Sequence, residues 1–334
     1  MESTTATSTT ETTATTPTVT VHNYVRAESD HQMRTYVEKF SCFGRLAHAR
    51  AAYDVHHQVT VRAQRDTLYS FGVFDLTSPP TVTLPDPGER YQSLMVLSQE
   101  HSITVEHGPA EVTLTAEEVG TRYALLLVRT FVDPGDPDDL AAAHRLQDAV
   151  VVAQDDPGRL DLPDWPPEEV AAVRNTVMQV ASTVADSTRC FGRKEELDPV
   201  YWLLGAALGW GGLPATEAIY ENVVPERNDG VTPHTLTVGD VPVDGFWSVT
   251  LYDGEGWMPV NDRDAYSFNN LTARRDDDGT VTIHFGGDPA QPNHLPIVPG
   301  WNYVVRLYRP REEVRSGGWR FPPPVPVDAD AEAL

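Results

Sequence analysis

Between Thr67 and Val132 the chain is cut into short stretches rich in β-branched and aromatic residues, most of them followed by proline or glycine. Thr67–Phe74 ends at Asp75 and is followed by Ser78-Pro79-Pro80. Thr81–Leu84 stops at Pro85-Asp86-Pro87-Gly88. Tyr91–Leu97, Ile103–Val105, Glu111–Leu114 and Tyr123–Val132 continue the series, with Ala116–Gly120 as a single turn. Segments recurring roughly every 8–15 residues leave room for strands and not for long helices, which points to a sandwich or barrel. The pattern returns at His234–Val238, Gly245–Tyr252, Thr280–Phe285 and Trp301–Tyr308, with a turn at Asp276-Asp277-Asp278-Gly279.

Helical spacing appears elsewhere. Asn23–Phe43 carries apolar groups three or four apart and reads as a leading helix. Pro137–Val151, with Asp136 as N-cap, Pro167–Ser182, with Glu168 and Glu169 in its first turn, and Pro199–Gly209 follow one another between the two β series. A length of 334 residues suggests two domains. The expected fold is therefore mainly β (α+β): two β-sandwich domains joined by a helical connector. The expected division is a disordered tail at 1–20, an N-terminal domain at 21–136, a connector at 137–212, a C-terminal domain at 213–312 and an extended tail at 313–334.

Charge narrows the partners. The net charge is −24, which repels polyanions, so no nucleic-acid partner is expected. Met1–Thr20 is almost all Thr, Ser, Ala and Glu, without the basic start and apolar run of a signal peptide. No segment has the roughly 18 uninterrupted apolar residues of a membrane span. The expectation is a soluble, cytoplasmic protein with no membrane partner. Cys42 and Cys190 make no disulfide framework and read as buried small apolar groups.

Four stretches occur in a fixed order: Arg65-Asp66-Thr67-Leu68-Tyr69-Ser70; Asp244-Gly245-Phe246-Trp247-Ser248-Val249; Asn261–Asn270; and Gly300-Trp301-Asn302-Tyr303 running into Arg306-Leu307-Tyr308-Arg309-Pro310. With them the chain resembles, over about residues 21–322, a tandem family of two domains of unknown function, numbered 1254 (N-terminal) and 1214 (C-terminal). The resemblance implies two β-rich domains, the second jelly-roll-like, and no agreed activity.

Candidate chemistry rests on four sets of residues. Arg65, Asp66 and Tyr69 form the first: an arginine to clamp an anion, a carboxylate to orient it and a phenol to donate a proton. The same Arg–Asp pair also reads as a structural tie between the strand and the connector helices. His101 and His107, beside Glu100 and Glu106, form a His/Glu set on a β scaffold, of a type that holds metal in cupin-like jelly rolls, although the cupin spacing is absent. The alternative is hydrogen-bonded or surface histidines. No Gly-x-Ser-x-Gly elbow occurs, and Ser70 and Ser267 lack a histidine neighbour in sequence. The last set is Tyr252, Asp253, Asn261, Tyr266, Asn269, Asn270, Asn302, Arg306 and Tyr308, groups suited to a polar small molecule or to tight turns. Asn302, Arg306 and Tyr308 fall on one strand face by their even spacing. Trp247, Trp257 and Trp301 are candidates for an apolar wall. Gly209-Trp210-Gly211-Gly212 reads as a helix end and turn rather than a phosphate loop.

These sets converge on an enzyme or binding protein for a small polar molecule, anions included, with a pocket between the domains or at the mouth of the C-terminal sandwich. Arg65, Asp66, Tyr69 and His101 are the expected catalytic groups, without a cofactor or metal. Asn261, Tyr266, Asn302, Arg306, Tyr308 and Trp247 are the expected substrate contacts. The alternatives are a metal-dependent enzyme on His101 and His107, and a non-catalytic interaction protein. Two β domains with exposed edges are compatible with a homodimer.

Overall fold

The computed structural model describes residues 17–327. Helix α1 (Tyr24–Phe40) is followed by β1 (Ala47–His48), β2 (Thr67–Asp75), β3 (Thr81–Leu84), β4 (Gln92–Ser98), β5 (Ile103–His107) and β6 (Ala110–Thr113). Then come α2 (Ala116–Val119), β7 (Tyr123–Phe131), α3 (Pro137–Ala149), β8 (Val151–Ala153), α4 (Pro167–Ala181) and α5 (Pro199–Leu208). The C-terminal half holds β9 (Ala218–Val223), β10 (His234–Val238), β11 (Trp247–Tyr252), β12 (Ser267–Asn269), β13 (Val281–Phe285), β14 (His294–Leu295), β15 (Asn302–Tyr308), α6 (Glu312–Arg315) and β16 (Val325–Pro326). The chain is mainly β with helices, as the punctuation predicts. No helix among the described residues is long and apolar enough to cross a membrane.

In the first domain an antiparallel sheet runs in the order β1-β2-β7-β4-β5. β7 lies at its centre and is buried at all nine positions. A strand covered on both faces needs apolar residues at odd and even positions alike, and Tyr-Ala-Leu-Leu-Leu-Val supplies them. One face (Phe74, Leu94, Leu126, Val128) packs on a second sheet, β6-β3-β8, through Val82 and Leu84. The other face (Phe71, Met95, Leu125, Leu127) looks toward α1, α4 and α5.

The segment read as a connector is built into this domain. β8 pairs with β3, and α4 and α5 bury Val170, Val177, Leu204 and Ala206 in the same core as Tyr24 and Met33 of α1. Asp136 caps α3 as expected, accepting from the N–H groups of Asp138 and Asp139. Apolar spacing reveals a helix but not what its apolar face meets.

The tails also differ from expectation. Residues 1–16 and 328–334 of the two predicted tails lie outside the described residues. Val19 is buried, and its N–H donates to Glu169 Oε2 at 2.7 Å. At the other end Phe321 is buried against Trp247, at 5.8 Å between rings, and β16 pairs with β10. The segment after residue 312 is a returning strap, because its two large aromatics, Trp319 and Phe321, find an apolar face to cover.

The second domain packs the sheet β12-β11-β15-β9 on the sheet β14-β13-β10-β16. Val249, Leu251, Val305 and Leu307 interleave with Leu236, Ile283 and Phe285 between them. The opposite face of β11 and β15 carries Ser248, Thr250, Asn302 and Arg306, which are polar yet also buried. That face is covered by the first domain. Phe246 is sandwiched between Phe131 and Tyr308, with 4.1 Å between centroids on each side, and so stacks the two domains together.

Candidate functional site

A cavity of about 890 Å³ lies between the helix-facing side of the five-stranded sheet and the polar face of β15 and β9. The first domain contributes Tyr69 from β2, Met95 from β4, and Leu127 and Arg129 from β7. The second contributes Tyr220 from β9, with Arg306 and Tyr308 from β15. Residues 59–64 and 208–212, the last turns of α1, and the segment from Ala181 to Phe191 complete the wall, with Lys39 and Asp186 both exposed to solvent.

Register explains the grouping. Tyr69 sits opposite Arg129 across β2 and β7, and Tyr220 opposite Arg306 across β9 and β15. Each pair therefore shares a sheet face, and the two faces look at each other.

The two arginines differ in how well they are held. Arg306 donates to Thr250 Oγ1 at 2.9 Å and, through Nη2, to the Tyr252 hydroxyl and the Arg62 carbonyl, each at 2.7 Å. Arg62 in turn donates to Asn302 Oδ1 at 2.9 Å. Arg129 is only 6 % exposed, yet its contacts are weak: Met95 Sδ at 3.8 Å, the Gly211 carbonyl at 3.4 Å, and the Tyr69 ring 5.7 Å from its Cζ. Among the described residues no carboxylate forms an ion pair with Arg129, in a chain with 49 acidic residues. A guanidinium has five N–H donors and keeps its charge at any working pH. Burying it without a counter-charge costs several kcal/mol.

Around it stand phenols. Burial pushes Tyr220 and Tyr308 above the usual tyrosine range, so both are protonated donors at neutral pH. The Tyr69 oxygen accepts from Gln64 Nε2 at 2.8 Å, which leaves its own hydrogen for the cavity. Around Arg129 the site thus offers positive charge and O–H donors; the one carboxylate in the wall, Asp186, is exposed and accepts from Thr188.

Of the expected catalytic groups, Tyr69 alone lines the cavity. Arg65 is paired instead with Asp264 of the second domain at 2.9 Å, its guanidinium 5.0 Å over the Tyr266 ring. Asp66 is buried, accepts from Asn269 Nδ2 at 2.9 Å and so ties the domains together. It neither orients Arg65 by a hydrogen bond nor reaches the connector helices.

His101 is fully buried behind the cavity wall, where Nε2 accepts the Gly211 N–H at 3.0 Å. Burial pushes its pKa down to about 3, so it is a neutral acceptor and not a proton donor. His107 lies at the far end of β5 and meets Glu217 at 2.8 Å. Among the described residues no three His, Cys, Asp or Glu side chains come together as metal ligands. Nearness of His101 and His107 in sequence misleads because the first occupies the hairpin turn and the second the end of the returning strand.

Of the expected substrate contacts, Arg306 and Tyr308 line the cavity, and Asn302 shares their strand face but holds Arg62. Asn261 spends its side chain on its own turn, bonding Pro259, Arg263 and Ala265. Trp247 and Trp301 belong to the sandwich core, so the expected tryptophan wall does not form. Ser70 does meet a histidine, His48 Nδ1 at 2.7 Å. It is, however, wholly buried and also bonded by Gln147, away from the cavity.

Sequence reasoning missed Arg129, Arg62 and Tyr220. Arg129 had a signal: it is the one charge in the fully buried run Tyr123–Phe131. Tyr220 had none, since β9 lacks the usual alternation.

Fold and site together describe a two-domain β protein with a cavity at the domain interface. A model of the family described as protein of unknown function (DUF1254) matches residues 43–113, and one described as protein of unknown function (DUF1214) matches residues 222–312. The chain carries both family domains, in tandem. No curated protein matches it. Its fold is similar to that of the VPA0106 protein from Vibrio parahaemolyticus, with a TM-score of 0.71 and 18 % identity over 92 % of this chain and 98 % of that one. A Burkholderia cenocepacia protein described as uncharacterized aligns over 92 % of this chain and 87 % of its own, at TM-score 0.48 and 17 % identity. At such identities the Vibrio likeness concerns the fold alone.

Proposed function

We propose that this protein binds a small organic anion in the interdomain cavity, with Arg129 as the counter-charge. The observation that carries this reading is the buried guanidinium of Arg129, aimed into a cavity without a carboxylate partner among the described residues. Natural interiors pair buried charges, so an uncompensated one in a cleft marks a ligand site. Tyr69, Tyr220 and Tyr308 add hydrogen-bond donors, and Arg306 adds a second positive charge at the same wall.

The reading is one of binding. The acid–base scheme expected from sequence needed Asp66 as base and Tyr69 or His101 as acid, and only Tyr69 lines the cavity. A metal-based scheme has no converging ligands among the described residues.

Isothermal titration calorimetry with sodium benzoate, against sodium chloride at equal ionic strength, tests it. Saturable binding is expected. Losing one partner of a buried charge pair costs about 2–5 kcal/mol, so Arg129→Met should weaken binding by at least about 30-fold. Equal benzoate affinity in the folded variant would sink the proposal.

A further inference from the structure

Resting on that anion-binding reading, we infer that the ligand is amphipathic: a monocarboxylate whose head sits at Arg129 and whose apolar body runs along the five-stranded sheet toward the end of α1. The cavity is polarised along its length. Arg129, the phenols and Arg306 gather at one end. From there the same sheet face continues through Leu127, the next inward residue of β7, to its register partners Phe71 on β2 and Met95 on β4. Each such step along a strand is about 7 Å.

Beyond Phe71 the wall is aromatic. Tyr36 and Phe40 of α1 lie 5.1 and 4.7 Å from the Phe71 ring, and Trp210 lies 6.3 Å from Tyr36. Phe40 is 47 % exposed, so this apolar row leads outward to solvent.

Size and charge choose the occupant. A volume near 890 Å³ falls in the range of whole small-molecule ligands, roughly 300–1,000 Å³. A bare inorganic anion would fill only the arginine end and leave the apolar row wet. An apolar molecule without a head would leave Arg129 buried and unpaired. One poorly satisfied guanidinium, with Arg306 already bonded to Thr250, Tyr252 and Arg62, matches one negative charge. A carboxylate with an acyl or ring body meets all three demands.

The test is calorimetric titration of the full chain with straight-chain monocarboxylates from acetate to decanoate, at fixed pH and ionic strength, beside Arg129→Met and Phe40→Gln. Each buried methylene contributes about 0.8 kcal/mol, so affinity should rise about fourfold per carbon until the row is filled. Phe40→Gln, at the far end of the row and without contact to Arg129, should flatten that rise among the longer acids and leave acetate unchanged. A flat series that still depends on Arg129 would overturn the amphipathic inference and leave the anion site standing. A rising series unaffected by Arg129→Met would overturn the head assignment and the anion reading with it. The absence of binding at every length would overturn both.

Discussion

Arg129 and Tyr69 face each other in register across β2 and β7, with the guanidinium carbon 5.7 Å from the ring centroid. The ring face gives Arg129 a weak partner where a carboxylate would have given a strong one. A cation held this loosely at 6 % exposure is costly to the folded state. Arg129→Met should therefore keep or raise stability, by up to about 4 kcal/mol. Differential scanning calorimetry without ligand checks this. A large loss of stability would mean that Arg129 is a structural brace rather than a ligand group.

The contrast with Arg306 shows what the sequence made legible. Even spacing alone places Asn302, Arg306 and Tyr308 on one strand face, and β15 presents all three buried. Spacing worked because a strand's period is fixed by covalent geometry. Arg65 and Asp66 precede β2, which begins at Thr67, and their partners, Asp264 and Asn269, lie about 200 residues away in the chain, where no local pattern reaches. The short strands β1, β8, β12, β14 and β16 are two or three residues long and exist only through their partners. No local pattern can announce them. The cavity itself lies between faces of β2, β7, β9 and β15, far apart in the chain.

The stack of Phe131, Phe246 and Tyr308 joins the two cores, with Phe246 fully buried between its neighbours. Phe246→Ala should cost about 3–5 kcal/mol, the usual range for emptying a buried aromatic site. Because the lost contacts are those between domains, urea unfolding followed by fluorescence should also become less cooperative. A loss below about 1 kcal/mol would show that the stack does not couple the domains.

Asp66 is buried with Oδ1 bonded to Asn269 and Oδ2 without a partner, and Ser248 lies beside it. Burial raises its pKa above the ordinary aspartate value, against the pull of Arg306. The folded state therefore holds this proton more tightly than the unfolded state does. Stability from this group is lost as pH rises from the ordinary aspartate value to the raised one. Asp66→Asn keeps the shape and the acceptor for Asn269 and removes the titration. The variant should gain stability over the parent at neutral pH, and the gap should close as pH falls through that window. Chemical denaturation at a series of pH values measures the difference. A gap independent of pH would refute the assignment.

His101 predicts the opposite slope. Its folded pKa, pushed down to about 3 by burial, lies below the ordinary histidine value near 6.5. Between those values the unfolded chain binds a proton that the folded chain refuses, so stability falls as pH drops through that window. His101 also holds the Gly211 N–H, and the Gly211 carbonyl is one of the two polar contacts of Arg129. His101→Gln keeps a neutral acceptor on a side chain of similar length and removes the titration. Stability measured from pH 7 to pH 4 should therefore fall less steeply in the variant, with binding at pH 7 nearly unchanged. His101→Ala, which leaves the Gly211 N–H buried and unbonded, should cost about 1–3 kcal/mol. It should also weaken ligand binding, since the loop that carries Gly211 loses its anchor. Equal acid slopes in the parent and His101→Gln would mean that His101 is not the proton-refusing group.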